Sequence, residues 1–250
     1  MVKSDPWIKE VERLMKVFAE KHALTYNRSQ REVSASFEIG CFHALVEFYS
    51  RNFDIDPKNL TILNEYRYLT SPNGNPINFS YVALRHNDGN FELRQQVRVR
   101  SHLHDDISFT PDLVVIKAGA SIDSERDSDY AGGKRSFFTV RSRDVIAAHE
   151  CKSMNPFPEL LVSFLGMLIT AHDWLESSSD RTALADDGIH LAPSLFVGGT
   201  ARALHVRMVS ALEFVYPINI ILGLHSGNWS LLAGTRKLNL LPAEINKTLP

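Results

Sequence analysis

Pro111-Asp-Leu-Val-Val-Ile-Lys117 and Ala147-Ala-His-Glu-Cys-Lys152 decide how this chain is read. Each is a short apolar strand with ionisable groups where the apolar run should continue. Strands rich in Val, Ile and Leu are normally buried. A carboxylate on such a strand is costly unless a metal ion or a paired cation neutralises it. Here the start of the first segment and the end of the second bring two carboxylates, Asp112 and Glu150, and the ammonium of Lys152. That set can hold a divalent cation and activate a water.

The two segments meet if they form an antiparallel pair, because the start of the first then lies beside the end of the second. Glu150 and Lys152 are two residues apart, so both project from one face. His149 and Cys151 project from the other and are given no catalytic role. Upstream, Asp5-Pro6 predicts the start of a helix over about 6–23. Ser29-Gln-Arg-Glu32 has the form of a capping box, and a second helix follows to about Arg51. On its wheel Phe37, Cys41, Phe42, Leu45, Phe48 and Tyr49 share one face. Glu38 falls in the middle of that face and Glu47 on the opposite side. Glu38 is either a buried acid held by a local donor or a third carboxylate aimed at the same centre.

Leu60–Leu69 predicts a strand. Phe79–Arg85 and Phe91–Arg100 flank Asn87-Asp-Gly-Asn90 as the arms of a hairpin. In the second arm Arg94, Arg98, Arg100 and His102 alternate with Leu93, Val97 and Val99. They form a solvated sheet face or a cationic strip for phosphates. Gly119–Ser136 reads as a long exposed loop. After Lys152, an apolar helix over about 158–175 should be buried all round. Ser194–Val197, a helix opening at Gly198-Gly199-Thr200, and Ile218–Leu224 suggest parallel strands added to the sheet. Gly-Gly-Thr at a helix start could cradle a phosphate, although a simple tight turn is the plainer reading.

The 250 residues suffice for one large domain or two small ones. The division expected is an N-terminal helical extension over 1–28 and a main domain over 29–250. The apolar share of 44% and charged share of 22% are those of a globular protein. No apolar run spans a bilayer, the N-terminus lacks a secretory core, and two cysteines make no disulfide framework. A cytoplasmic location is expected. The net charge of −2 excludes a protein that coats nucleic acid by bulk electrostatics, but not a local basic patch.

Pro111-Asp112 followed by Glu150-Cys151-Lys152 resembles the signature of the PD-(D/E)XK nuclease superfamily. A Glu-x-Lys triplet alone arises by chance about once in a chain of this length. Here it ends an apolar strand, and the only Pro-Asp pair in the sequence opens another. The resemblance implies an α/β fold, a mixed sheet flanked by helices around a restriction-endonuclease-like core. It implies a Mg²⁺-dependent DNA endonuclease of restriction or anti-phage defence type, with Mn²⁺ as a substitute and a homodimer as one possible assembly. Asp112, Glu150, the backbone carbonyl of Cys151 and Glu38 would be metal ligands, and Lys152 would act on the attacking water. Hard oxygen donors suit Mg²⁺ or Mn²⁺ rather than zinc. Two other functions stay open: a nuclease for RNA or for single-stranded or branched DNA, and a non-catalytic nucleic-acid-binding or scaffold protein.

Overall fold

The computed structural model of the chain describes residues 5–26, 33–59, 64–71, 78–104, 106–124, 138–171, 188–231 and 237–242. It is a mixed α/β fold with one large sheet between helical layers. In chain order the main elements are α1 (Pro6–Lys21), α2 (Val33–Tyr49), β1 (Asp54–Lys58), β2 (Tyr81–His86), β3 (Gly89–Gln95), β4 (Leu113–Lys117), β5 (Val145–Lys152), α3 (Pro158–Ala171), β6 (Ser194–Val197), α4 (Ala203–Val215) and β7 (Asn219–Leu222).

The seven strands lie in the order β7-β6-β5-β4-β3-β2-β1, so each neighbours its successor. The first five form an antiparallel meander, and β6 and β7 add in parallel. The helices α3 and α4 make the two crossovers that parallel addition requires. Alternation along β4 shows why its run is wholly apolar. Leu113 and Val115 face the cluster built by Trp7, Val11 and Phe18 of α1 and Phe37, Phe42 and Leu45 of α2. Val114 and Ile116 face Val97, Val99 and Val140. Val99 and Val140 belong to a small second sheet, in which Arg98–Arg100 pairs with Phe138–Arg141 and with Ser108–Phe109, and Val97 precedes its first strand. Beside it, Leu161, Phe164 and Leu168 of α3 pack on Ala148, Leu195 and Ile220.

Several expectations are corrected. Within the expected extension over 1–28, α1 packs into the same core cluster as α2 and the sheet. Asp5 precedes α1 but makes no side-chain cap bond. The helix α2 is buried on almost every side rather than along one stripe, while α3 is half exposed, with Val162 57% accessible. The strand β1 has no counterpart in the sequence reading. Its Asp-Ile-Asp-Pro-Lys sequence is unusual for a strand, and it survives as an edge. There Arg85 of β2 ties down Asp54 and Asp56. Among the described residues of the expected strand over 60–69, Glu65–Tyr66 is extended. The capping box at Ser29–Glu32, residues 60–63, most of the 119–136 loop and the helix beyond Ala171 lie outside the described residues. Among those described, no helix is long and apolar enough to cross a membrane.

Two helical glycines separate packing from propensity. A Cβ on Gly40 of α2 would stand 2.7 Å from the Trp229 ring and 2.8 Å from Val11, whereas one on Gly166 of α3 would meet nothing within 4 Å. Gly40→Ala should therefore destabilise by roughly 1–3 kcal/mol through overpacking. Gly166→Ala should stabilise by about 0.5–1 kcal/mol through helix propensity. Urea denaturation of both variants checks the pair, and shifts of the same sign would contradict the packing described.

Candidate functional site

Leu113 of β4 pairs with His149 of β5. Asp112, one residue before the first, therefore lies beside Glu150, one residue after the second. Each is 8–9% accessible despite its charge. One oxygen of Asp112, Oδ2, accepts the Cys151 N–H at 2.7 Å and the Lys152 Nζ at 3.2 Å. Lys152 also donates to Glu150 Oε2 at 2.6 Å, so one ammonium bridges two carboxylates.

The other oxygen, Asp112 Oδ1, accepts the Gln96 side-chain amide at 3.0 Å. The same nitrogen donates to Glu38 Oε2 at 3.0 Å. Gln96 is the first residue beyond the end of β3. Its φ is 52°, a left-handed backbone rare for a side chain of this kind, and its own N–H donates to the Asp112 carbonyl at 3.0 Å. Glu38 reaches the cluster from α2. One turn further on, the Cys41 thiol meets the Cys151 thiol on the core side of β5. Both thiols are buried and reduced. Burial raises their pKa values, which keeps them protonated. His149 is likewise in the core, against Phe196.

Three carboxyls share one ammonium here, and the charges do not balance. Burial, and then the neighbouring Asp112 charge, push Glu38 up to about 8, with the Gln96 amide pulling the other way. Burial and Asp112 also raise Glu150, against the opposing Lys152. Burial works against the Lys152 charge, but Asp112 and Glu150 together outweigh it, and its pKa rises. Such a site attracts a further cation. Among the described residues, no three His, Cys, Asp or Glu side chains stand in ligating geometry. Lys152 bridges one pair of acids and Gln96 the other.

The row expected from Arg94, Arg98, Arg100 and His102 is divided. Because the strand breaks at Gln96, Arg94 stays in the main sheet while Arg98 and Arg100 enter the small one. Arg94 is buried, paired with Glu92 at 2.6 Å and stacked 3.9 Å over Tyr81. Arg100 donates to Thr139 at 3.1 Å, and the His102 ring contacts the Ile169 carbonyl at 3.1 Å. At Gly198-Gly199-Thr200 the plainer reading, a tight turn, agrees with the structure, and the helix start expected there is corrected. The helix α4 begins only at Ala203, and the N–H groups of Gly198 and Gly199 donate to the Lys152 and Met154 carbonyls, each at 2.9 Å. That turn pins the segment following Lys152. So does His225, whose Nε2 meets Ser153 Oγ at 3.0 Å and whose ring stacks 4.9 Å from Trp7.

Gln96, Ser153 and His225 went unnoticed in the sequence. Only the pairing of distant segments distinguishes Gln96 from its neighbour Gln95.

Glu38 holds its proton up to about 8 in the folded chain and to 4.5 as a free group. Folding therefore favours the protonated form, and that stability is lost as the pH rises from 4.5 through 8. In EDTA, Glu38→Gln should gain on wild type between pH 5 and pH 8.5 by roughly 1–3 kcal/mol. Chemical denaturation across that range measures it, and a difference that does not change with pH would contradict the assignment.

Comparison with protein-family models, with characterised proteins and with solved structures finds no match to this chain, so its own geometry carries the functional reading.

Proposed function

We propose that the chain is a metal-dependent phosphodiesterase of the PD-(D/E)XK type that cleaves DNA. The observation that carries this reading is the pair of nearly buried carboxylates, Asp112 and Glu150, bridged by the one ammonium of Lys152. The order of elements supports it. A helix (α2), an antiparallel meander (β3, β4, β5), a helix (α3) and a parallel strand (β6) resemble the core that the motif implies. The acids fall at the rim of that meander, at the start of β4 and the end of β5.

The donor set fits a hard divalent cation. Asp112 and Glu150 are oxygen donors that already converge on one positive charge, and the backbone carbonyl of Cys151 would complete the protein's share. Mg²⁺ or Mn²⁺ bound there would polarise a phosphoryl oxygen and lower the pKa of a water. The chain's own part is positional. The Cys151 N–H fixes the rotamer of Asp112 through Oδ2. Lys152, displaced from the carboxylates, would stay beside them, orient the attacking water and stabilise charge growing on the phosphate. Its side chain is 32% exposed, enough to reach a bound phosphate. The thiols of Cys41 and Cys151 and the ring of His149 are buried in the core and take no part.

Cleavage of labelled duplex DNA, single-stranded DNA and RNA in Mg²⁺ tests the activity and ranks the substrates. Lys152→Ala should lower the rate by roughly 10²–10³-fold while circular dichroism still reports a folded chain. A variant that cuts as fast as wild type would remove Lys152 from the mechanism. Asp112→Asn should weaken Mn²⁺ binding at least about tenfold by calorimetry, through loss of an anionic donor. An unchanged affinity would remove Asp112 from the ligand set.

A further inference from the structure

We infer that the centre takes one divalent cation, between Asp112 and Glu150, and that Gln96 is a positioning residue that closes the gap between Glu38 and Asp112 to a second. This rests on the metal reading above and assigns Glu38 a place outside the ligand set.

Three carboxyls leave two gaps, each spanned by a nitrogen. Lys152 spans Asp112 and Glu150 at 3.2 and 2.6 Å. Gln96 spans Glu38 and Asp112 at 3.0 Å to each. The two spanning groups differ in their freedom to leave. Lys152 is the last residue of β5, with a long, 32% exposed side chain that can swing toward solvent or an arriving phosphate. A cation entering that gap replaces one positive charge with a larger one.

Gln96 has no such exit. It is 6% accessible, and its backbone is fixed by the N–H bond to the Asp112 carbonyl at 3.0 Å. The next residue, Val97, is fully buried under the small sheet. The amide nitrogen carries two hydrogens and gives one to each acid. It has no lone pair to offer a cation in that orientation. A cation there would have to break both bonds and expel a buried side chain. Asp112 therefore turns Oδ2 toward the Lys152 side and commits Oδ1 to Gln96. Glu38 contributes negative potential from behind and remains on the amide.

Manganese binding to the full chain at pH 8.5 tests this by calorimetry, with free Mn²⁺ counted by electron paramagnetic resonance. Wild type should bind one Mn²⁺ per chain. Gln96→Glu puts a further carboxylate in the gap, and Gln96→Ser empties the gap without adding charge. A second Mn²⁺ bound by either variant supports the inference. Two Mn²⁺ on wild type overturn it, whatever the variants do. Folded variants that both stay at one overturn the part given to Gln96. Wild type that binds none overturns the metal reading itself, and the single-cation inference falls with it. A merely structural role for Gln96 would alter stability and leave the count unchanged.

Discussion

Burial of the Asp112 carboxylate is the constraint around which this structure is arranged. An ionised carboxylate taken out of water costs several kcal/mol unless charge-assisted hydrogen bonds replace its hydration. Asp112 has three such donors, and each depends on a separate feature of the fold. The Cys151 N–H depends on the register of β4 against β5. Lys152 depends on where β5 ends. The Gln96 amide depends on the break that stops β3 and turns the chain into the small sheet. A one-residue slip of β4 would carry its side chains to opposite faces and strip the carboxylate of these partners. The core clusters on both faces of β4, with Leu113 on one and Val114 on the other, hold the register in place.

The cluster is not a balanced ion pair. A structural ion pair balances its charges, and this one has three acids to one base. Burial, and then the charge of Asp112, raise the Glu38 and Glu150 carboxyls, and Asp112 and Glu150 hold the one ammonium against its burial. Groups perturbed in this way concentrate at functional sites. The surroundings restrict their motion. The Cys41–Cys151 contact seats α2 on β5, the Gly198-Gly199 turn pins the backbone after Lys152, and His225 braces Ser153 against Trp7. Such supports around a charged group are what preorganisation requires.

Much of this was legible from residue types alone. Acids on strands of Val, Ile and Leu cannot be ordinary, and period-two alternation correctly separated Glu150 and Lys152 from His149 and Cys151. Glu38 stood out because a charge interrupted an apolar helix face. What escaped notice lies in tertiary pairing. The strand β1 carries Asp, Pro and Lys, and it is extended because β2 pairs with it and Arg85 neutralises its acids. In the arm from Phe91 to Arg100 the alternation fails at Gln95-Gln96, two polar residues in succession, and the left-handed turn that divides Arg94 from Arg98 lies there. The glycines at 198 and 199 read most simply as a tight turn. They are small because Asn155 and His225 pack against them, a contact formed only once β5, β6 and β7 are side by side.

The central claim is that Lys152 keeps the place of a divalent cation between Asp112 and Glu150. Anomalous diffraction from crystals soaked in Mn²⁺ locates such an ion directly. The account predicts a peak within bonding distance of carboxylate oxygens from both residues, with the Lys152 ammonium moved off them. Saturating Mn²⁺ that leaves Lys152 bridging the two acids, with no peak beside them, would contradict it.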